Sequence, residues 1–466
     1  MASDDGIELA EASPHRSTSN PTSPHRSSDE APSNAIEQED IPPNGGYGWV
    51  CTVAVFLINC HTWGVNSAWS IFLAQYLAHS TFPGASRLSY ALIGGLSISQ
   101  ALLSTPLVNL FFARFGTRPT LLLGTLLVFA ALLGASYASA IWHLFLSQGV
   151  AFGWGMGFLY IPASTILPRW FSTRRSLAVG LATSGAGLGG LAYNLAAGHL
   201  VETVGLQWTY RVLALCSLGA NLLSSLLLRD RPRAVSGRSA EKVKAFDFRE
   251  LGRVEVVLVG FWGTVTELGY ITLLYSLPSY AAAKGLSTRQ GSLVSALLNL
   301  GLGVGRPLIG YYSDAFGRIN VATAMTALCG LLCLGLWIPA DSFPALLAFA
   351  LLAGTVCGTF WGTMGPVTAE VVGLQRLNAS FGVIFLALVW PTTFAEPIAL
   401  RLVDTSGYLS AKIFVGVMFL LGAGSVWLLR SWKVTQIERK RAVEAGCEEG
   451  IGFWFSPRKL FVGGKI

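Results

Sequence analysis

Ser292-Leu-Val-Ser-Ala-Leu-Leu-Asn-Leu-Gly-Leu-Gly-Val-Gly-Arg306-Pro-Leu-Ile-Gly-Tyr-Tyr312 is the stretch whose reading decides the fold. It is long enough to cross a bilayer, which takes about 20 mostly apolar residues, and it carries one guanidinium. A charge at that depth costs roughly 2.5 kcal/mol or more, so it faces a partner or a water-filled cavity. Ser313-Asp-Ala-Phe-Gly-Arg318 follows at once, a charged tight turn between two apolar runs. A passive anchor needs neither feature. Together they point to a transporter.

Composition agrees. Of 466 residues, 52% are hydrophobic and 12% charged, about half the charge of a soluble domain, which carries roughly 25%. This is a polytopic protein of the lipid bilayer, and its 52 glycines suit close helix packing there. The net charge of +7 lies in short loops between apolar runs. Charge so placed orients spans and does not indicate nucleic acid. Cys51, Cys60, Cys216, Cys329, Cys333 and Cys357 lie in apolar runs and Cys447 in the tail. They have neither disulfide nor zinc spacing and read as packing residues.

A window of about 20 residues predicts an all-α membrane protein of twelve spans. They fall near 48–77, 89–112, 119–139, 141–167, 177–198 and 208–228, then 254–280, 291–313, 319–340, 343–368, 379–400 and 411–431. This divides the chain into an N-terminal six-helix bundle over 47–228, a basic linker over 229–253 and a C-terminal bundle over 254–431. The acidic, Ser- and Pro-rich segment 1–46 lacks the basic start and apolar core of a secretory signal and is expected to be disordered. It repeats Ser13-Pro-His-Arg16 as Ser23-Pro-His-Arg26, which reads as compositional drift or as a docking signal. A second tail covers 432–466.

Lys and Arg support this topology. With both termini in the cytosol, the inner segments hold Arg114, Arg118, Arg169, Arg174, Arg175, the linker, Arg318, Arg376 and the basic start of the tail. The outer segments hold only Arg87, Lys284, Arg289, Arg401 and Lys412, which is the positive-inside pattern. The halves also echo each other. Phe112-Ala-Arg-Phe-Gly-Thr-Arg118 after the second span matches Tyr312-Ser-Asp-Ala-Phe-Gly-Arg318 after the eighth, and an internal repeat of this kind places a substrate path between the halves.

These residues resemble the major facilitator superfamily. Gly310-Tyr-Tyr-Ser-Asp314-Ala-Phe-Gly317-Arg318 is similar to its signature loop, in which Asp, Gly and Arg lock neighbouring helix ends. The first-half turn carries Arg114 and Arg118 but lacks the Asp, a departure similar to that of the monocarboxylate porter family. Gly45-Gly-Tyr-Gly-Trp49 resembles that family's motif before the first span, with Asn44 where an acid is usual. Trp170-Phe-Ser-Thr-Arg174-Arg175-Ser-Leu-Ala-Val-Gly180 closely resembles its fifth-span motif. The short linker and acidic tail look like the fungal branch. The resemblance covers roughly residues 44–431 and implies a proton- or gradient-linked carrier of monocarboxylates or related metabolites. Relatives carry an Asp one turn before the eighth-span Arg and a Lys in the first span. This chain has Leu302 at the first position and no Lys over 50–77, so lactate-like proton symport does not follow directly.

Arg306 is the leading candidate for holding an anionic group of a small-molecule substrate, because guanidinium pairs bidentately with carboxylate. A structural arginine held by a neighbouring helix is the alternative. It shares a helix face with Asn299, Gly303 and Gly310. Glu267 in the seventh span is a candidate proton carrier, since a buried carboxylate is costly when charged. Counting about 1.5 Å per residue puts it nearer the outer side than Arg306. Asn59, Trp63, Asn66 and Ser70 follow helical spacing and form a stripe that faces either the cavity or another helix. His61 lies on the opposite side of that helix. The glycine runs Gly153–Gly157 and Ser184–Gly190 lack the Lys of a phosphate loop and read as packing. Pro391 and Pro397, with Glu396 between them, are expected to interrupt the eleventh span. Asn378-Ala-Ser380 has glycosylation spacing but falls on the cytosolic side.

The composite expectation is a secondary transporter working by alternating access, in the plasma membrane, with protons as candidate coupling ion and no cofactor, metal or catalytic constellation. Efflux of a fungal secondary metabolite is the second reading, and a non-transporting nutrient sensor the third.

Overall fold

The computed structural model describes residues 43–79, 81–230 and 248–444. The SPHR repeat, most of the basic linker and Cys447 lie outside the described residues. Among the described residues twelve helical rods follow one another. Helix α1 runs in three segments, Tyr47–His61, Trp63–Ser67 and Trp69–Ala78. Helix α2 is Arg87–Leu103 with Thr105–Phe115, α3 Thr117–Ala135, α4 Ile141–Trp170, α5 Arg175–Val204 and α6 Leu206–Leu227. The second half holds α7 (Val254–Ala283), α8 (Thr288–Phe316), α9 (Arg318–Trp337) and α10 (Phe343–Val372). Leu377–Glu444 is two helices, α11 and α12, divided at Gly407, whose φ of 76° only glycine adopts freely.

Among the described residues nine helices are long and apolar enough to cross a membrane, or ten with the bent α2. Dividing the longest at Gly407 and adding α5, diluted by Gly, Ser and Thr, completes the twelve. Alternation puts the start of α1, the α2–α3, α4–α5, α8–α9 and α10–α11 turns and the extension of α12 on one face, called here the basic face.

Local chemistry explains the interruptions. Helix α1 breaks at Thr62 (φ −121°, ψ −76°), where the threonine hydroxyl donates back to the Ile58 carbonyl and competes with the helix ladder. Helix α2 bends by 43° where Pro106 opens its second segment. Ser287 and Gln290 cap α8 reciprocally. The matched turns of the two halves both end on a left-handed glycine, Gly116 (φ 82°) and Gly317 (φ 100°), so the sequence echo is also a structural one.

One apolar core is built from residues of α1–α6 and another from α7–α10 and α12; a third draws on both halves through α2, α4, α7 and α9–α12. The halves meet along a glycine seam between α5 and α8. A Cβ on Gly187 would stand 2.5 Å from the Gly303 nitrogen, and one on Gly180 or Gly310 would strike the carbonyl of Arg306 or Ser176. The glycine runs of α4 and α5 do the same work inside the first half. Gly153 and Gly157 lie against α2, and Gly185 and Gly189 against α1.

Two boundaries and the place of one charge differ from expectation. Helix α12 continues past Ser431 to Glu444 because Val434 and Thr435 are still buried. The end of the linker is a 3-10 turn, Phe248–Gly252, that packs into the second half, where Glu250 accepts from Ser380 Oγ at 3.1 Å. Lys412 is not an outer-loop charge. It is buried in α12 and donates to the Trp337 carbonyl at 2.8 Å, with its ammonium 3.7 Å from the Tyr280 ring centre. An ammonium at a helix C-terminus meets the negative end of the dipole, and moving it out of the loops sharpens the charge asymmetry between the faces.

Glycine contacts of this kind give a direct test. Gly305→Ala drives a methyl into the Thr355 carbonyl, whereas Gly198 has nothing within 4 Å. Overpacking costs about 1–3 kcal/mol, and an exposed helical Gly→Ala gains about 1 kcal/mol. Thermal unfolding of the purified protein should therefore show a lowered Tm for Gly305→Ala and an unchanged or raised one for Gly198→Ala.

Candidate functional site

Arg306 sits where four helices converge. It is 4% exposed, and its Nη1 donates to the Thr183 carbonyl of α5 at 2.6 Å. The Tyr270 hydroxyl of α7 lies within hydrogen-bonding reach of it. Gly358 and Gly362 of α10 leave room for the side chain, since a Cβ on Gly358 would stand 2.7 Å from Arg306 Nε. Nε itself is buried without an acceptor. Pro307, next in sequence, has no N–H and cannot return a bond to the Gly303 carbonyl, so the helix is already loosened beside the guanidinium.

Glu267 on α7 is 2% exposed, stands against the Trp361 indole of α10 and keeps Oε1 without a donor. It and Arg306 form no ion pair among the described residues. Counting residues predicts different depths for the two. That difference is about one helical turn by the count, and Tyr160 and Tyr270 lie near both side chains. The cluster has a guanidinium, a carboxyl group and two phenols, drawn from both halves.

An aromatic layer closes over it. Trp63 of α1 packs on Tyr160 of α4 and Trp361 of α10 with ring centres 5.5 and 5.6 Å apart, and Phe385 of α11 lies 6.1 Å from Tyr160. Toward the basic face remains a cavity of about 20 Å³, lined by Asn59, Tyr160, Ser164, Thr183, Trp361 and Phe381 among others. That is room for about one water. The halves are therefore closed around the site.

The first-span stripe divides, although Trp63 and Asn66 lie in one short segment after the break at Thr62. Asn59 and Trp63 face the interface. Asn66 accepts from Ser97 Oγ of α2 at 2.8 Å and serves as a helix contact, while Ser70 is exposed. Asn299 lies farther along the seam, where its Oδ1 fills the space a Cβ on Gly190 would take, at 2.8 Å. It does not reach the guanidinium. His61 bonds Tyr193 within the first half, away from this layer. Tyr160, Thr183, Tyr270 and Trp361 are the residues that sequence reading missed: in an apolar span an aromatic looks like core.

The basic face is latched by charge. Asp314 at the end of α8 accepts the backbone N–H groups of Ser176 and Leu177 of α5, at 3.1 and 2.9 Å. Arg318 spans the same junction. It donates to Asp314 at 3.3 Å, to Glu370 of α10 at 2.8 Å and to the Ser172 carbonyl of the α4–α5 turn at 2.7 Å. Gly317 supplies the turn between them. Arg175 is buried and donates to the Pro168 and Phe171 carbonyls, closing the end of α4. Asn44, with positive φ, accepts from the backbone N–H of Ser172 and Thr173 at 2.7 and 2.9 Å, so a neutral amide does at this turn what an acid would. Arg114, Arg118 and Arg174, grouped by sequence with this latch, are exposed and outside it. The first-half turn has Ala113 where the second has Asp314, and so offers Arg114 and Arg118 no carboxylate.

Removing one acceptor of charge-assisted bonds costs about 1.5–3 kcal/mol, a population shift of roughly 10- to 100-fold. In a cysteine-free background carrying Ser164→Cys, Asp314→Ala should raise the rate of labelling by an impermeant maleimide from the basic face by that factor. An unchanged rate would remove the latch from the account.

The fold has counterparts. The Major Facilitator Superfamily model matches residues 51–297 and 259–462. The chain is 36% identical over 406 residues to "Probable transporter MCH2" of Saccharomyces cerevisiae, covering 85% of each chain. It is 28% identical over 403 residues to "Fujikurins efflux protein" of Gibberella fujikuroi, covering 85% of this chain and 86% of that one. Among solved structures, a double tryptophan mutant of XylE superposes with a TM-score of 0.67 at 14% identity, over 83% of this chain and 96% of that one. Matched over most of its length by the family model and by a relative above 30% identity, the chain belongs to the Major Facilitator Superfamily, a family of membrane transporters.

Proposed function

We propose that this protein is a secondary transporter of an organic anion, with Arg306 holding the anionic group and Glu267 carrying a coupled proton. The single observation behind this reading is the buried guanidinium between the halves, with one protein carbonyl on Nη1 and no acceptor on Nε. A guanidinium in a desolvated site without a carboxylate partner is costly, and a substrate carboxylate supplies the missing charge with bidentate geometry. Trp63, Tyr160 and Trp361 offer flat apolar surface to the rest of the substrate. A monocarboxylate with a compact organic body fits that chemistry. The missing Asp at Leu302 leaves Glu267 as the acid nearest in chemistry to a proton carrier.

Charge supports assigning the basic face to the cytosol, and with it both termini; the plasma membrane is the proposed location. With that face latched, the halves open toward the outside first. Two six-helix bundles, 47–228 and 254–431, rock about the α5–α8 seam. The aromatic layer and a relative named as an efflux protein favour, as a second reading, export of a larger metabolite through the same cycle.

Reconstituted protein and radiolabelled short-chain and aromatic monocarboxylates, assayed by counterflow at two pH values, test both readings. Arg306→Ala should lower counterflow by about 10- to 100-fold, from about 1.5–3 kcal/mol for a charged hydrogen bond. Glu267→Gln should keep exchange and lose stimulation by an imposed proton gradient. Full counterflow in a folded Arg306→Ala protein would end the assignment. Selectivity for the large aromatic acids alone would favour export.

A further inference from the structure

Four glutamates are buried among the described residues: Glu250, Glu255, Glu267 and Glu396. Glu250 and Glu255 pair with Arg253, and Glu267 belongs to the central cluster. Glu396 is left, 5% exposed on α11, with Oε2 buried and no donor. At about 1.5 Å per residue it lies roughly 28 Å along α11 from Leu377 at the basic face, while Arg306 lies roughly 15 Å along α8 from Phe316. It is therefore well beyond the central cluster, toward the opposite face.

The surroundings of Glu396 form a second polar junction between the halves. Pro397 has no N–H to return to the Thr393 carbonyl, and that carbonyl stands 2.9 Å from where a Cβ on Gly95 of α2 would lie. The neighbouring Gly94 admits Trp69 Nε1 of α1 and the Tyr275 hydroxyl of α7, which would stand 2.9 and 3.2 Å from a Cβ there. Trp69 Nε1 is a second buried polar atom with no partner. Thr272 Oγ1 of α7 donates to the Ala395 carbonyl at 3.4 Å, tying α7 to the same turn of α11. Helices α1, α2, α7 and α11 thus meet around an indole N–H, a phenol and a carboxyl.

The groups packed on this turn of α11 supply no counter-charge among the described residues. Tyr275 on α7 lies near Glu396. Helix α2 brings Gly94, Gly95 and Ile98, α7 also brings Leu268 and Ile271, and α12 brings Phe414 and Met418. An ion here would need several kcal/mol of compensation that the junction lacks, whereas a neutral carboxyl needs only ordinary hydrogen bonding.

We propose that Glu396 is a second protonation site of the transport cycle, exchanging its proton with water at the face opposite the latch. In the closed protein the carboxyl keeps its O–H bond. When α1–α2 part from α7–α11 at that face, water reaches the junction, the O–H bond breaks, and the proton leaves to the outer water; closure requires its return. This rests on the reading that the protein moves protons, but the site can be tested without any substrate.

The full chain, reconstituted with its basic face inside sealed vesicles, is followed by infrared difference spectroscopy as the external buffer alone is made alkaline. The wild type should lose a protonated-carboxyl C=O band. Glu396→Gln should abolish that loss, Glu267→Gln should retain it, and Glu396→Asp should restore it at a shifted position. A Glu396→Gln spectrum identical to wild type overturns the proposal, as does a band that responds only to internal pH. Failure of monocarboxylate counterflow is a separate readout, so the two readings fall separately.

Discussion

Ser176 and Leu177 present backbone N–H groups in the first turn of α5 that have no acceptor in their own helix, and Asp314 of the other half accepts both. Arg174, at the N-cap position, provides no side-chain cap. The first half is therefore incomplete by itself at this point, and the second half finishes it with a carboxylate placed at the positive end of the helix dipole. These bonds lie at an aqueous boundary, where water can substitute for either partner. That makes the closure firm but reversible, as alternating access requires. Arg318 adds reach, gathering Asp314, Glu370 and the Ser172 carbonyl into one knot.

The latch works only because α5 and α8 come within backbone distance. Gly180, Gly187, Gly303 and Gly310 remove the side chains that would hold them apart, and small residues provide close approach where lipid offers no hydrophobic drive between helices. The same closeness brings the Thr183 carbonyl to Arg306. The feature that holds the halves together at the basic face thus also sets the partner of the buried guanidinium at the centre. Parting the halves would take the Thr183 carbonyl away from Arg306, so closure sets the polar surroundings of the guanidinium.

The fold was legible because lipid leaves few choices: backbone groups must be satisfied within the segment, so apolar runs of span length read directly as helices. Arg306, Glu267 and the Asp314 turn stood out for the same reason, being charges where charges are expensive. What the sequence could not display were partners. Asn66 and Trp63 share a stripe and the same short helical segment, yet one accepts from Ser97 of α2 and the other packs on Tyr160 and Trp361. Tyr160, Tyr270 and Trp361 are indistinguishable from core aromatics until the halves are placed together. Lys412 read as a loop charge because a span end and a buried ammonium have the same local sequence.

The two halves share a turn but not its strength, and this asymmetry has a mechanical meaning. Gly116 repeats Gly317 in conformation, but Ala113 replaces the carboxylate, leaving Arg114 and Arg118 exposed. At the start of α11, the counterpart of α5, the cross-half contact is instead Arg169 Nη2 to the Asn378 amide oxygen at 3.2 Å. A hydrogen bond to a neutral acceptor is worth less than one between opposite charges. The basic face is thus held strongly on the α5–α8 side and weakly on the α4–α11 side. Separation that starts at the weaker side would pivot on the glycine seam and leave Asp314 the last contact to break, so the latch acts as a hinge pin until the end of the movement.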